Sequence, residues 1–257
     1  MQRSLVLTLA YNGAAYAGFA KQKDERLVTV QGELEKALAT YFRHPVETVC
    51  AGRTDAGVHA LGQVVSCVLD EVELEGVIPA RLVISLNALT PDDIVVKAVR
   101  FESPDFSARF DATSREYRYR IVTGPVPPLF LKDFAWWRRG ELDIDAMREA
   151  ATHLVGEHDF KSFCKTASAE GKTTMRYVSE VSIAHEEQMG ESCLVVKVIG
   201  NAFLHSMVRT IVGTLVQVGA GHREPAWVAE VLGARDRNAA GETAPACGLT
   251  FWHVSYE

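Results

Sequence analysis

One segment, Phe203 to Val218, constrains this 257-residue chain more than any other. Leu204, Met207, Val208, Ile211, Leu215 and Val218 recur at helical spacing, and most positions between them are apolar too. The pattern predicts a helix covered on several sides rather than one resting on a surface. Arg209 is its only charge. A guanidinium on such a helix must find an anion or reach water along the helix edge by extending its stem.

The covering layers are legible on either side. Leu5 to Tyr11 reads as a strand, then a helix from Thr29 to Phe42 with Thr29 as cap and Val30, Leu34, Ala37, Leu38 and Tyr41 on one face. Strands at Val46–Cys50 and Gln63–Leu69, a helical connection near Ile78–Asn87 and a strand at Ile94–Phe101 complete a first half. The second half runs from a strand at Tyr117–Val122 through a helix at Asp145–Val155 ended by Gly156. Strands at Val178–His185 and Cys193–Ile199, the apolar helix and a last strand at Leu249–Tyr256 follow. This order predicts an α+β protein, two α+β halves (1–105 and 106–257) forming a mixed, mostly antiparallel sheet flanked by helices.

Composition narrows the chemistry. With 47% hydrophobic and 23% charged residues and no apolar run near the roughly 18 residues of a membrane span, the chain is expected to be globular. The start, MQRSLVLTLAYNG, is too short and strand-like for a secretory signal, so a cytoplasmic protein is expected. The five cysteines never occur as CxxC, and the eight histidines include no HExxH; neither a disulfide framework nor a metal is expected. The net charge is −6, but Phe106–Gly140 carries seven positive residues (Arg109, Arg115, Arg118, Arg120, Lys132, Arg138 and Arg139) against three acids, a local balance of +4. Such segregation is compatible with a basic cleft for a phosphate backbone and equally with a solvated mixed surface. Tyr117 and Tyr119 alternate with Arg118 and Arg120, which puts the aromatics on one strand face and the cations on the other.

Between two of the strands lies AGRTDAGVHA, Ala51 to Ala60. Gly52 and Gly57 permit backbone geometry closed to other residues and let a ligand approach the chain closely. Asp55, beside Arg53, is placed for chemistry on something bound above it. Read locally, the same residues fit a tight turn capped by Asp55 with a solvated Arg53.

Several motifs in fixed order decide between these readings. They are Tyr11-Asn12-Gly13, Thr29-Val30-Gln31, the Gly52 to His59 loop, Pro91-Asp92-Asp93-Ile94, Ser107-Ala108-Arg109-Phe110 and Tyr117-Arg118-Tyr119. His158-Asp159-Phe160, Met207-Val208-Arg209 and Thr243-Ala244-Pro245-Ala246 complete the series. Along nearly its whole length the chain resembles the TruA class of tRNA pseudouridine synthases. The resemblance implies the pseudouridine synthase fold with a central active-site cleft, and isomerisation of uridine to pseudouridine at positions 38, 39 and 40 of the tRNA anticodon stem-loop. It implies a homodimer, no cofactor and no metal.

The resemblance also assigns roles. Asp55 is the expected nucleophile and Arg209 the residue that orients it and holds it ionised. Tyr117 is expected to stack on the target uracil, Arg53 to contact phosphate or fill the place of the flipped base, and Leu249 to form an apolar wall of the base pocket. Attack at C6 of the base, attack at C1′ of the sugar and elimination through a glycal all suit the same carboxylate. The chain departs from the family pattern at Asn12, at Gly18-Phe19-Ala20-Lys21-Gln22 and at Glu116, where altered RNA contact is expected.

Overall fold

The periodicities above become ten strands and six α-helices in a computed structural model that describes residues 1–24, 26–165, 171 and 173–257. The architecture is mixed α+β and mostly antiparallel, in two units: Met1–Thr113 with Phe251–Glu257, and Ser114–Thr250. No helix among the described residues is long and apolar enough to cross a membrane.

In the first unit β1 (Gln2–Tyr11) lies antiparallel between β3 (His59–Asp70) and β4 (Ile94–Glu102), with Leu7 opposite Val65 on one side and Val99 on the other. Leu5, Leu7 and Leu9 are fully buried. The short β2 (Val49–Cys50) pairs with β3 through two residues. Helix α1 (Val30–Phe42) starts where Thr29 accepts a hydrogen bond from the Gly32 amide, and it buries Val30, Leu34, Ala37 and Leu38. A one-turn α2 (Glu71–Leu74) and α3 (Pro79–Asn87), with proline in its first turn, lead to β4.

In the second unit β5 (Ser114–Thr123) adds the short β6 (Trp136–Arg138) in parallel. The antiparallel order β5, β9 (Glu191–Gly200), β8 (Met175–Gln188), β7 (Gly156–Asp159) forms its body. Its helices are α4 (Ile144–Thr152), α5 (Met207–Gly219) and α6 (Trp227–Ala234). The last strand, β10 (Leu249–Ser255), passes at Phe251 into the first unit, where it neighbours β3.

Three local expectations change. Helix α5 begins at Met207, not Phe203, because Ser206 takes a left-handed conformation at φ 61° that breaks the helical path. Helix α4 is capped by Asp143, whose side chain accepts from the Ala146 amide, and ends at Thr152, short of Val155, which is exposed. Only Val49–Cys50 of the Val46–Cys50 run pairs as strand.

Helix α5 is buried nearly all round, as its composition requires. Part of its cover is backbone: a methyl group at Gly213 would lie 1.8 Å from the Glu242 carbonyl oxygen. Intrinsic propensity favours alanine over a mid-helix glycine by about 1 kcal/mol, but a contact that short reverses the sign. We expect Gly213→Ala to lose about 2 kcal/mol or more in thermal unfolding. Gly233→Ala on α6, where no atom lies within 4 Å of the added methyl, should be neutral or gain up to about 1 kcal/mol. Equal effects at the two sites would contradict the packing assigned to α5.

Candidate active site

Asp55 lies on the loop between β2 and β3, half-buried, with Arg53 exposed beside it. The loop is fixed from several directions. The Val58 amide donates to the Asp55 carbonyl at 3.2 Å, Gly57 has φ +78°, and the Ala51 amide donates to Val64 at 2.8 Å. The Gln63 side-chain amide donates to the Gly52 carbonyl at 2.7 Å. The Thr54 carbonyl accepts from the Phe19 amide at 3.1 Å, while its hydroxyl is 2.8 Å from that of Tyr11.

Two glycines bring the neighbouring chain onto this loop at backbone contact. Gly18 has φ +108°, and a methyl there would sit 2.9 Å from the Thr54 carbonyl oxygen; one at Gly13 would sit 2.0 Å from that of Val58. The Gly13 amide donates to Nδ1 of buried His59 at 3.1 Å, which leaves that ring to carry its proton on Nε2 when neutral. Asn12 caps the short turn at Gly13 by accepting from the Ala14 amide.

The second unit holds Arg209, Tyr117 and Leu249. Arg209 leaves α5 half-buried, and its Nε donates to the Ala244 carbonyl at 2.7 Å while the Ala244 amide donates back to the Arg209 carbonyl at 3.1 Å. Tyr117 on β5 is buried and meets Phe203 edge to face, with ring centroids 5.1 Å apart. Its strand neighbour Tyr119 is fully buried, donates to the Pro245 carbonyl at 2.8 Å and leaves no room for a side chain at Gly248, where a methyl would lie 2.5 Å from its ring. Leu249 follows directly, buried, as the first residue of β10. Asp55 and Arg53 thus belong to one unit, and Arg209, Tyr117 and Leu249 to the other.

The basic segment is less available than its composition suggests. Arg115 and Arg120 are buried: Arg115 donates to the Asn201 carbonyl, and Arg120 to Gln188 at 2.8 Å and Thr250 at 3.0 Å. Arg118 is tied to Glu116 at 2.7 Å and lies near Glu186. Both faces of β5 are therefore covered, and the alternation of tyrosine with arginine does not divide core from solvent. The exposed cations of this segment are Arg109, Lys132 and Arg139. The contacts of Tyr11, Thr54 and Gln63 were not foreseen; the available signal was a tyrosine ending an apolar strand, since a buried phenol needs a polar partner.

Among the described residues no group of three His, Cys, Asp or Glu side chains could hold a metal ion. Cys50 stands just before the loop, where burial pushes its thiol up to about 11 against the opposing pull of Arg53. A thiol of that kind is a poor nucleophile at neutral pH. We expect iodoacetamide at pH 8 to label Cys50 in the native protein on the order of a hundredfold more slowly than free cysteine. Labelling at the free rate, read by peptide mass spectrometry, would restore sulfur chemistry at this loop.

A family model described as tRNA pseudouridine synthase matches residues 8–111 and 150–257. The tRNA pseudouridine synthase A of Brevibacillus brevis is 45% identical over 254 residues, covering 99% of this chain and 100% of that one. That of Thermotoga neapolitana is 43% identical over 257 residues, 99% and 100% of the two chains. That of Shewanella sediminis is 38% identical over 252 residues, 98% and 92% of the two. Likeness at this level across the whole length leaves one assignment: the chain belongs to the tRNA pseudouridine synthase family.

Proposed function

We propose that this tRNA pseudouridine synthase acts on uridines 38, 39 and 40 of the anticodon stem-loop with Asp55 as nucleophile. Membership of the family makes the reaction the isomerisation of uridine to pseudouridine in tRNA. The observation that supports Asp55 is its place: a half-buried carboxylate on a loop held on both sides of it, through the Gly52 carbonyl and the Thr54 hydroxyl before it and the His59 ring after it. A carboxylate fixed in this way needs little reorganisation to meet a bound base.

The chemistry is balanced without oxidant or energy input. The N1–C1′ bond breaks, the uracil turns while bound, the C5–C1′ bond forms, C5 loses its hydrogen and N1 gains one. Stem uridines must leave the helix first, at a cost of a few kcal/mol that phosphate contacts offset. The second-unit roles belong to the same proposal: Arg209 as counter-charge for the reacting carboxylate, Tyr117 as stacking surface for the uracil and Leu249 as apolar wall. Arg53, exposed on the loop, is assigned to phosphate or to the place of the flipped base. The reading includes a cytoplasmic homodimer that works without cofactor or metal.

Transfer RNA carrying tritium at uracil C5 tests the assignment. The wild type should release tritium, and Asp55→Asn should release it at least ~10³-fold more slowly while still binding tRNA. Equal release by the variant would remove Asp55 as nucleophile. Pseudouridine confined to positions other than 38–40 would overturn the assigned target.

A further inference from the structure

We infer that the buried hydroxyl pair of Tyr11 and Thr54 is a positioning device for the reaction, fixing the peptide that carries Asp55; the inference rests on Asp55 being the reacting carboxylate. Tyr11 ends β1 with 4% of its surface exposed, and Thr54 has 7%. Both are too deeply placed to serve as RNA contacts. Phenylalanine and valine would fill nearly the same space, so packing does not explain the two hydroxyls. Burying them is unfavourable unless each finds a partner, and they find each other at 2.8 Å.

The pair acts on one residue from two sides. The Thr54 hydroxyl is held by Tyr11 and the Thr54 carbonyl by the Phe19 amide at 3.1 Å, so both its side chain and its peptide plane are set. Asp55 is the next residue. Gly18, pressed against the same carbonyl, prevents the peptide from swinging away. Fully buried Gln63 holds the loop at a second point: its amide donates to the Gly52 carbonyl at 2.7 Å. Burial pushes the Tyr11 phenol well above its ordinary range, so both hydroxyls of the pair stay protonated throughout the pH range of an assay. Strand β1 and the chain at Gly18–Phe19 thus converge on the residue that precedes the carboxylate, while Gln63 of β3 holds the loop at Gly52. Tyr11 and Thr54 are positioning residues, acting only through Asp55.

Thr54→Val, Tyr11→Phe and the double variant separate positioning from plain stability. The readouts are single-turnover pseudouridine formation at saturating enzyme, tRNA affinity and the thermal midpoint, with Asp55→Asn as the inactive reference. Each single variant should form pseudouridine about tenfold or more slowly, with tRNA affinity within about twofold of wild type. The double variant should be about as slow as the slower single one, because both remove the same interaction. Its thermal midpoint should recover towards wild type, since no buried hydroxyl is left unpartnered. Wild-type rates in all three variants would overturn the inference, as would rates that follow the melting midpoint and recover in the double variant. If Asp55→Asn itself turned over at the wild-type rate, the Asp55 assignment would fall, and the positioning role with it.

Discussion

Everything near Asp55 depends on backbone approaching backbone more closely than a side chain allows. Gly13 against Val58 and Gly18 against Thr54 are contacts of this kind, and each is reinforced by a hydrogen bond, from the Gly13 amide to His59 and from the Phe19 amide to Thr54. Glycine loses more conformational entropy on folding than other residues, a penalty on the order of 0.5–1 kcal/mol at each position. The close contact offsets it here by letting a polar loop be held by buried partners instead of water. The hydroxyl pair of Tyr11 and Thr54 and the amide of Gln63 add hydrogen bonds beneath the loop.

The second unit repeats the device with different parts. Gly213 of α5 lies against Glu242, Gly241 against Thr214 and Gly248 against the Tyr119 ring, so residues 241–248 follow α5 and β5 at contact distance. Reciprocal hydrogen bonds between Arg209 and Ala244 fasten the same segment. A helix this apolar tolerates its one guanidinium because Nε is satisfied by a main-chain carbonyl within its own unit, a partner that no charge pattern in the sequence announces.

Much of the architecture was legible because it rests on local physics. Thr29 caps α1 as its position suggested, and the strands at Leu5–Tyr11, Ile94–Phe101 and Cys193–Ile199 lie within β1, β4 and β9. Long-range circumstances explain the departures. Ser206 bends left-handed ahead of α5, and β7 begins at Gly156 where only a helix end was expected, because its partner β8 lies about twenty residues further on. The short β6 and α6 carry too few residues for a periodicity to stand out. Among the candidate residues, Asp55, Arg209 and Tyr117 stand out through ordered motifs, whereas the Tyr11–Thr54 contact spans 43 residues and has no local signature. Charge counts along β5 do not record that Arg115 and Arg120 are buried among partners.

The Asp55 loop is built by the fold before any RNA arrives. Amide hydrogen exchange of the free protein tests it most directly, read at Gly13, Phe19, Ala51 and Val58, whose N–H groups carry the hydrogen bonds that close and hold the loop. All four amides should be protected in the free protein, close to the level of the β3 core, with little change when tRNA binds. Exchange at the rate of an unstructured peptide until tRNA is added would show instead that the substrate, not the fold, orders the loop.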